Sequence, residues 1–167
     1  MKSLGPYLDE AIPHEAGHML VGKVVGFPPE GLDIEVVRDP KGLSIGNLAT
    51  LGIEPTDEAI PKMSPEARAA FMLFVAGGVA GNRFCGLSIV GEGADSDRRT
   101  LARITDKPLE EIAILAVAII ETRKRLFRRL VSVIRERLAA LMKNSNLQTG
   151  RHTLLTEEDL DDIFGRP

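Results

Sequence analysis

His14-Glu15-Ala16-Gly17-His18 is the stretch on which the reading of this chain turns. It fits the pattern His-Glu-x-x-His. On an α-helix, residues four apart lie one above the other on one face, so His14 and His18 can aim their imidazoles at a single metal ion. Glu15 stands beside them, placed to act as a general base on water rather than as a ligand. The flanking residues favour a helix. Met19, Leu20, Val21, Val24 and Val25 continue it with apolar side chains, and Gly26 with Pro28 and Pro29 supplies a stop. Pro13 is then expected in the first turn, where a missing N–H is tolerated, with Asp9 as a candidate N-cap. The pattern alone is loose, and two histidines and a glutamate can meet on an ordinary helix by chance. The apolar continuation, and Gly17 allowing close backbone approach, favour the metal reading.

Beyond this helix, Leu32 to Val37 alternates apolar and acidic residues before becoming wholly apolar, Arg38-Asp39-Pro40-Lys41-Gly42 is turn chemistry, and Leu43 to Leu51 is β-compatible again. Two antiparallel strands are expected. Their edge could hold an extended peptide beside the metal helix by strand addition, or the hairpin could simply cover the core; the residues support both. Residues 52–63 read as a loop. Ser64-Pro65-Glu66 then starts a helix with a serine N-cap, a proline at the first position and an acid in the first turn. That helix runs into Ala76-Gly77-Gly78-Val79-Ala80-Gly81, whose small residues either admit the metal helix closely or end the helix.

Glu92, Asp95 and Asp97 lie at the start of a further helical segment, where carboxylates suit the helix dipole. A catalytic zinc usually takes three protein ligands, so two histidines leave one to be found. The remaining histidine, His152, lies in a polar stretch near the C-terminus, and an acid from 92–97 is the better candidate. Asp95 and Asp97, two apart on a helix, do not face the same way, so at most one reaches the ion.

From Pro108 to about Met142 apolar residues recur at helical spacing, as one helix or as two broken near Glu121 to Arg123. Arg123, Lys124, Arg125, Arg128, Arg129, Arg135 and Arg137 make part of it strongly basic. A solvated helix face is the favoured reading, over an acidic-partner or nucleic-acid surface. Asn144 to Gly150 reads as a polar loop, and Thr156-Glu157-Glu158-Asp159 resembles a capping box opening a short helix that ends near Gly165.

At 167 residues one domain is expected, 1–167, large enough for a core without disulfides. A net charge of −3 gives no sign of a nucleic-acid-binding protein. The single cysteine, Cys85, is read as a buried structural thiol beside Phe84 and fits a reducing compartment. No apolar run is long enough to span a bilayer and the N-terminus lacks the apolar core of a signal peptide. A cytoplasmic protein without membrane insertion is expected.

Taken in order, these elements resemble the zinc peptidase domain of the FtsH-type ATP-dependent metalloproteases. The resemblance rests on His14 to His18 with its apolar continuation, the hairpin-like 32–51, the Gly-Gly-rich helix, Gly93-Ala94-Asp95-Ser96-Asp97 and the ending Thr153 to Leu160, and so spans most of the chain. Where the family typically reads Gly-Ala-Ser-Asn-Asp, its final aspartate completes the zinc site, and Asp97 holds that position here. The resemblance implies an α+β, mainly helical fold, with a zincin-like metal helix, a short antiparallel β hairpin and a C-terminal helical bundle. It implies one zinc ion held by His14, His18 and Asp97, with Glu15 as the general base of a metallopeptidase acting on a peptide or unfolded protein. The alternative is an inactive, metal-stabilised interaction or regulatory module. Because the family's peptidase domains form hexameric rings and work with an ATPase, a homo-oligomer and a separate ATPase or unfoldase are the candidate partners, with no nucleic acid. These residues carry no Gly-x-x-x-x-Gly-Lys-Ser/Thr loop, so processive ATP-driven degradation by this polypeptide alone is not expected. Asn82 and Arg83 stand where the family usually has an acidic pair, which alters the surroundings of the ligands.

Overall fold

A computed structural model describes residues 5–52, 54–87 and 91–165, with the side chain of Glu92 outside that description. The chain is mainly helical, with a small antiparallel sheet. Helix α1 spans Pro6–Val25 and ends on Gly26 in the left-handed conformation, whose N–H returns to the Gly22 carbonyl. The helix therefore begins earlier than the proline suggests. Asp9 lies in its first turn, paired with Arg135 at 2.8 Å, and Pro13 is in the interior. An interior proline forfeits a hydrogen bond and costs about 3 kcal/mol. Burial of Leu8, Ile12 and Pro13 itself offsets that cost and carries the helix through.

Strands β1 (Gly31–Asp39) and β2 (Gly42–Leu51) form the expected hairpin, with Leu32 opposite Thr50 and Val36 opposite Ile45. A bulge between Glu35 and Val36 leaves Gly46 as the extra residue. A third strand, β3 (Gly150–Leu155), pairs antiparallel with β1, so the order is β2-β1-β3 and β2 is an edge. The sequence gives little sign of β3, because Arg151, His152 and Thr153 break any apolar alternation. Leu32, Ile34 and Val36 turn one face of β1 into the core.

Helix α2 (Pro65–Phe84) starts on Ser64, whose Oγ accepts from the Ala67 N–H at 3.1 Å. Its glycines do not end it. They are where α1 and α2 touch, and this helix pair is the most extensive contact in the fold. A Cβ on Gly17 would lie 2.0 Å from the Gly77 carbonyl oxygen, and one on Gly81 would lie 2.1 Å from the Pro13 carbonyl oxygen. Only residues without a Cβ let the backbones approach so closely.

Helix α3 covers Glu92–Ala102, α4 Leu109–Thr122, α5 Lys124–Met142 and α6 Glu157–Phe164. The long apolar pattern is thus two helices jointed at Arg123. Ile112, Ala113, Ala116 and Ile120 of α4 and Phe127, Leu130, Ile134 and Leu138 of α5 complete the core. The basic stretch divides. Arg135 binds Asp9, Arg137 binds Asp159, and Arg129 donates to the Ile163 carbonyl, whereas Arg123, Lys124, Arg125 and Arg128 are exposed. Thr156 and Asp159 form the capping box of α6. Cys85 is exposed, contrary to the expected buried thiol; Phe84, packed edge-on against Phe127 at 5.1 Å, takes the inward position. Among the described residues no helix is long and apolar enough to cross a membrane.

The glycine contact sets a testable limit. Gly17→Ala should destabilise the protein by about 3 kcal/mol, because two helix backbones rather than a flexible side chain must move. Urea unfolding measures this, and a loss below about 1 kcal/mol would contradict the contact.

Candidate metal centre

Two helices deliver three buried polar side chains to one point. His14 and His18 come from adjacent turns of α1 and Asp97 from the second turn of α3, and they are only 6%, 8% and 9% exposed. His14 Nε2 and His18 Nε2 stand 3.2 Å apart, His14 Nε2 lies 3.4 Å from Asp97 Oδ2, and His18 Nε2 lies 3.4 Å from Asp97 Oδ1. Two ligands on a tetrahedral zinc with bonds of about 2.0–2.1 Å sit about 3.3 Å apart. The 3.2 Å between the two imidazole nitrogens matches that edge, and each nitrogen has a different Asp97 oxygen at 3.4 Å.

Three further observations fit a cation. Among the described residues Asp97 Oδ2 is buried with no hydrogen-bond partner, an expensive state for a carboxylate oxygen unless a positive charge faces it. A Cβ on Gly78 would come within 2.5 Å of both imidazole Nε2 atoms, and one on Gly93 within 3.0 Å of His14 Nε2, so both helices leave room beside the ligands. His18 Nδ1 donates to the Phe74 carbonyl at 2.9 Å. That bond leaves Nε2 facing inward, the usual outer partner of a ligating histidine.

The electrostatics of the cluster favour a proton on His18 over one on His14. Burial, then the charge of His18, pushes His14 below its usual pKa, against the pull of Asp97 and Glu15. Burial also opposes charge on His18, but Asp97, by charge and hydrogen bond, together with Glu15 and the Phe74 carbonyl, raises it to about 9. A proton on His18 Nε2 has His14 Nε2 at 3.2 Å and Asp97 Oδ1 at 3.4 Å within reach.

Glu15 is half-buried on the wall of an open cleft of about 510 Å³. The α1 residues Tyr7, Glu10, His14 and His18, the β2 residues Asn47 to Thr50, and Gly91, Gly93 and Asp97 around α3 also line it. Glu15 Oε2 accepts the Thr50 backbone N–H at 2.7 Å. Asp95 turns away to Arg98 at 2.9 Å and is 60% exposed at its side chain. Glu92, the other acid of this segment, has its side chain outside the described part. His152 donates from Nε2 to the Gln148 carbonyl at 2.8 Å and takes no part in the cluster. Asn82 is buried on the cleft wall with Oδ1 unpartnered among the described residues, while Arg83 turns to the Glu110 carbonyl. The outer roles of Phe74 and Thr50 left no mark in the sequence, because both are played by backbone atoms that every residue carries.

No family model matches the chain, and no curated protein matches it.

Metal ligation requires neutral imidazoles. Zinc binding at pH 7 should therefore release about one proton per ion from His18, a contribution that fades as the pH rises through about 9. Calorimetry in buffers of different ionisation enthalpy reads this number, and binding without proton release would contradict the charge state derived for His18.

Proposed function

We propose that this protein is a zinc-dependent metallopeptidase of zincin-like architecture, similar to the FtsH-type peptidase domain. The observation that carries the proposal is the buried cluster of His14, His18 and Asp97, with donor atoms close enough to share one ion, on the wall of a cleft that also holds Glu15 and the edge strand β2. His14 and His18 would present neutral nitrogens to one zinc ion and Asp97 a carboxylate oxygen. When bound, zinc supplies a Lewis acid that polarises the scissile carbonyl and acidifies water. Glu15 takes a proton from the attacking water as its oxygen adds to the carbonyl carbon, and returns it to the amine as the C–N bond breaks. The outer edge of β2 offers backbone groups to an extended peptide by strand addition, which suits unfolded chains as substrate. Self-association and a separate ATPase or unfoldase belong to the same proposal.

The competing reading is an inactive, metal-stabilised module, and Asn82 beside Arg83, where the family usually has acids, is its motive. A purely structural ion needs no base in the cleft, so Glu15 separates the two readings.

Glu15→Gln should lower kcat/KM on denatured casein by about 10²–10⁴-fold with zinc content unchanged. Zinc-dependent cleavage that survives in this variant would contradict the role of Glu15, and zinc-loaded wild type that cleaves nothing would favour the inactive module. The ligand assignment has its own test in competitive chelator titration. Asp97→Ala should weaken zinc binding by more than about 100-fold, beyond the loss of an outer hydrogen-bond partner. Asp95→Ala should cost less than about fivefold, since it ends only an exposed ion pair with Arg98. Equal losses in the two variants would contradict Asp97 as the ligand.

A further inference from the structure

Glu15 is gripped twice by one residue of the sheet. The Thr50 backbone N–H donates to Glu15 Oε2 at 2.7 Å, and Thr50 Oγ1 donates to the Glu15 carbonyl at 3.3 Å. In an antiparallel ladder the backbone groups of successive residues point alternately toward the neighbouring strand and away from it. An N–H that reaches a side chain of α1 is directed away from β1, onto the open side of the edge strand β2. Its bond to Glu15 therefore takes nothing from the sheet. Only Oε2 is engaged. Among the described residues Oε1 has no partner, although Glu15 lines the cleft with His14, His18 and Asp97.

A plain tie between α1 and the sheet does not call for a carboxylate, since the Thr50 hydroxyl already binds the helix backbone and Leu48 and Ala16 are buried in the same core. The N–H bond adds something else. A glutamate has several rotatable bonds and loses freedom when fixed. A charge-assisted bond from a rigid backbone donor holds one oxygen in place, and the other is then set relative to the cluster.

We propose that Thr50 is a positioning residue, whose backbone N–H orients the Glu15 carboxylate so that Oε1 faces the space beside His14, His18 and Asp97. The inference rests on the peptidase reading of Glu15 and adds to it the group that aims the base.

Two variants of full-length, zinc-loaded protein test it. Thr50→Pro deletes the N–H at an outward edge position, where proline does not interrupt the ladder, and Thr50→Val keeps the N–H while deleting the hydroxyl. With a peptide substrate chosen by wild-type cleavage, Thr50→Pro should retain its zinc and its KM within about threefold while kcat falls about 10–100-fold, the scale of a misplaced catalytic group. Thr50→Val should recover at least about tenfold of that loss in kcat. Wild-type kcat in zinc-loaded Thr50→Pro, or a Thr50→Val variant as slow as Thr50→Pro, would overturn the proposal. If Thr50→Pro does not fold, amide exchange decides. The Thr50 amide should be protected in the wild type and exchange at least about tenfold faster in Glu15→Ala, with the β1 amides unchanged; equal Thr50 exchange in the two proteins would overturn the proposal. Wild-type protein that loads zinc and cleaves no peptide refutes the peptidase reading instead, and Thr50 exchange then reports on the contact separately.

Discussion

Everything in this molecule depends on how closely two helices approach. Gly17 of α1 and Gly77 and Gly81 of α2 meet backbone to backbone, at distances that a single methyl group would forbid. Glycine weakens a helix interior by roughly 0.5–1 kcal/mol per residue relative to alanine, so several within one helix pair are a standing cost. The close packing returns apolar burial around Ile12, Ala16, Val75, Ala76 and Val79. It also sets the register of the site. With Gly77 against Gly17, Gly78 falls beside the two imidazoles and the Phe74 carbonyl, one turn back, receives the His18 Nδ1 proton.

The other walls of the cleft follow from this pair. α1 carries Glu15 next to His14 and His18, and β2 lies alongside with Thr50 bound to it. α3 brings Asp97 across, with Gly93 leaving room at His14 and Asp95 occupied by Arg98. Two imidazoles and a carboxylate buried together, one carboxylate oxygen without a partner among the described residues, form an arrangement that an apolar core pays for unless a cation sits among them. The same surroundings favour a proton on His18, which a metal ion would displace.

Much of this was legible in the sequence, for identifiable reasons. The i, i+4 spacing of His14 and His18, the Ser64-Pro65 helix start, the 38–42 turn and the capping box at Thr156 each report a local rule, and each stands in the structure. The readings that failed depended on distant partners. Pro13 signalled a helix start, but burial of Leu8 and Ile12 extended α1 past it. β3 is polar where it pairs with β1, so no alternation announced it. Cys85 was expected inside because of Phe84, and helix geometry sends the neighbour inward instead. In the site, His14, His18 and Asp97 were named from the chain and the structure brings them together, whereas the donors and acceptors that orient them are backbone groups with no sequence signature.

The central claim is that these three side chains form one zinc centre, and X-ray absorption at the zinc edge of the loaded protein tests it most directly. The account predicts a four-coordinate shell of nitrogen and oxygen at about 2.0–2.1 Å, with outer-shell scattering from two imidazoles and no sulfur. A sulfur neighbour near 2.3 Å, or a shell without imidazole scattering, would contradict it.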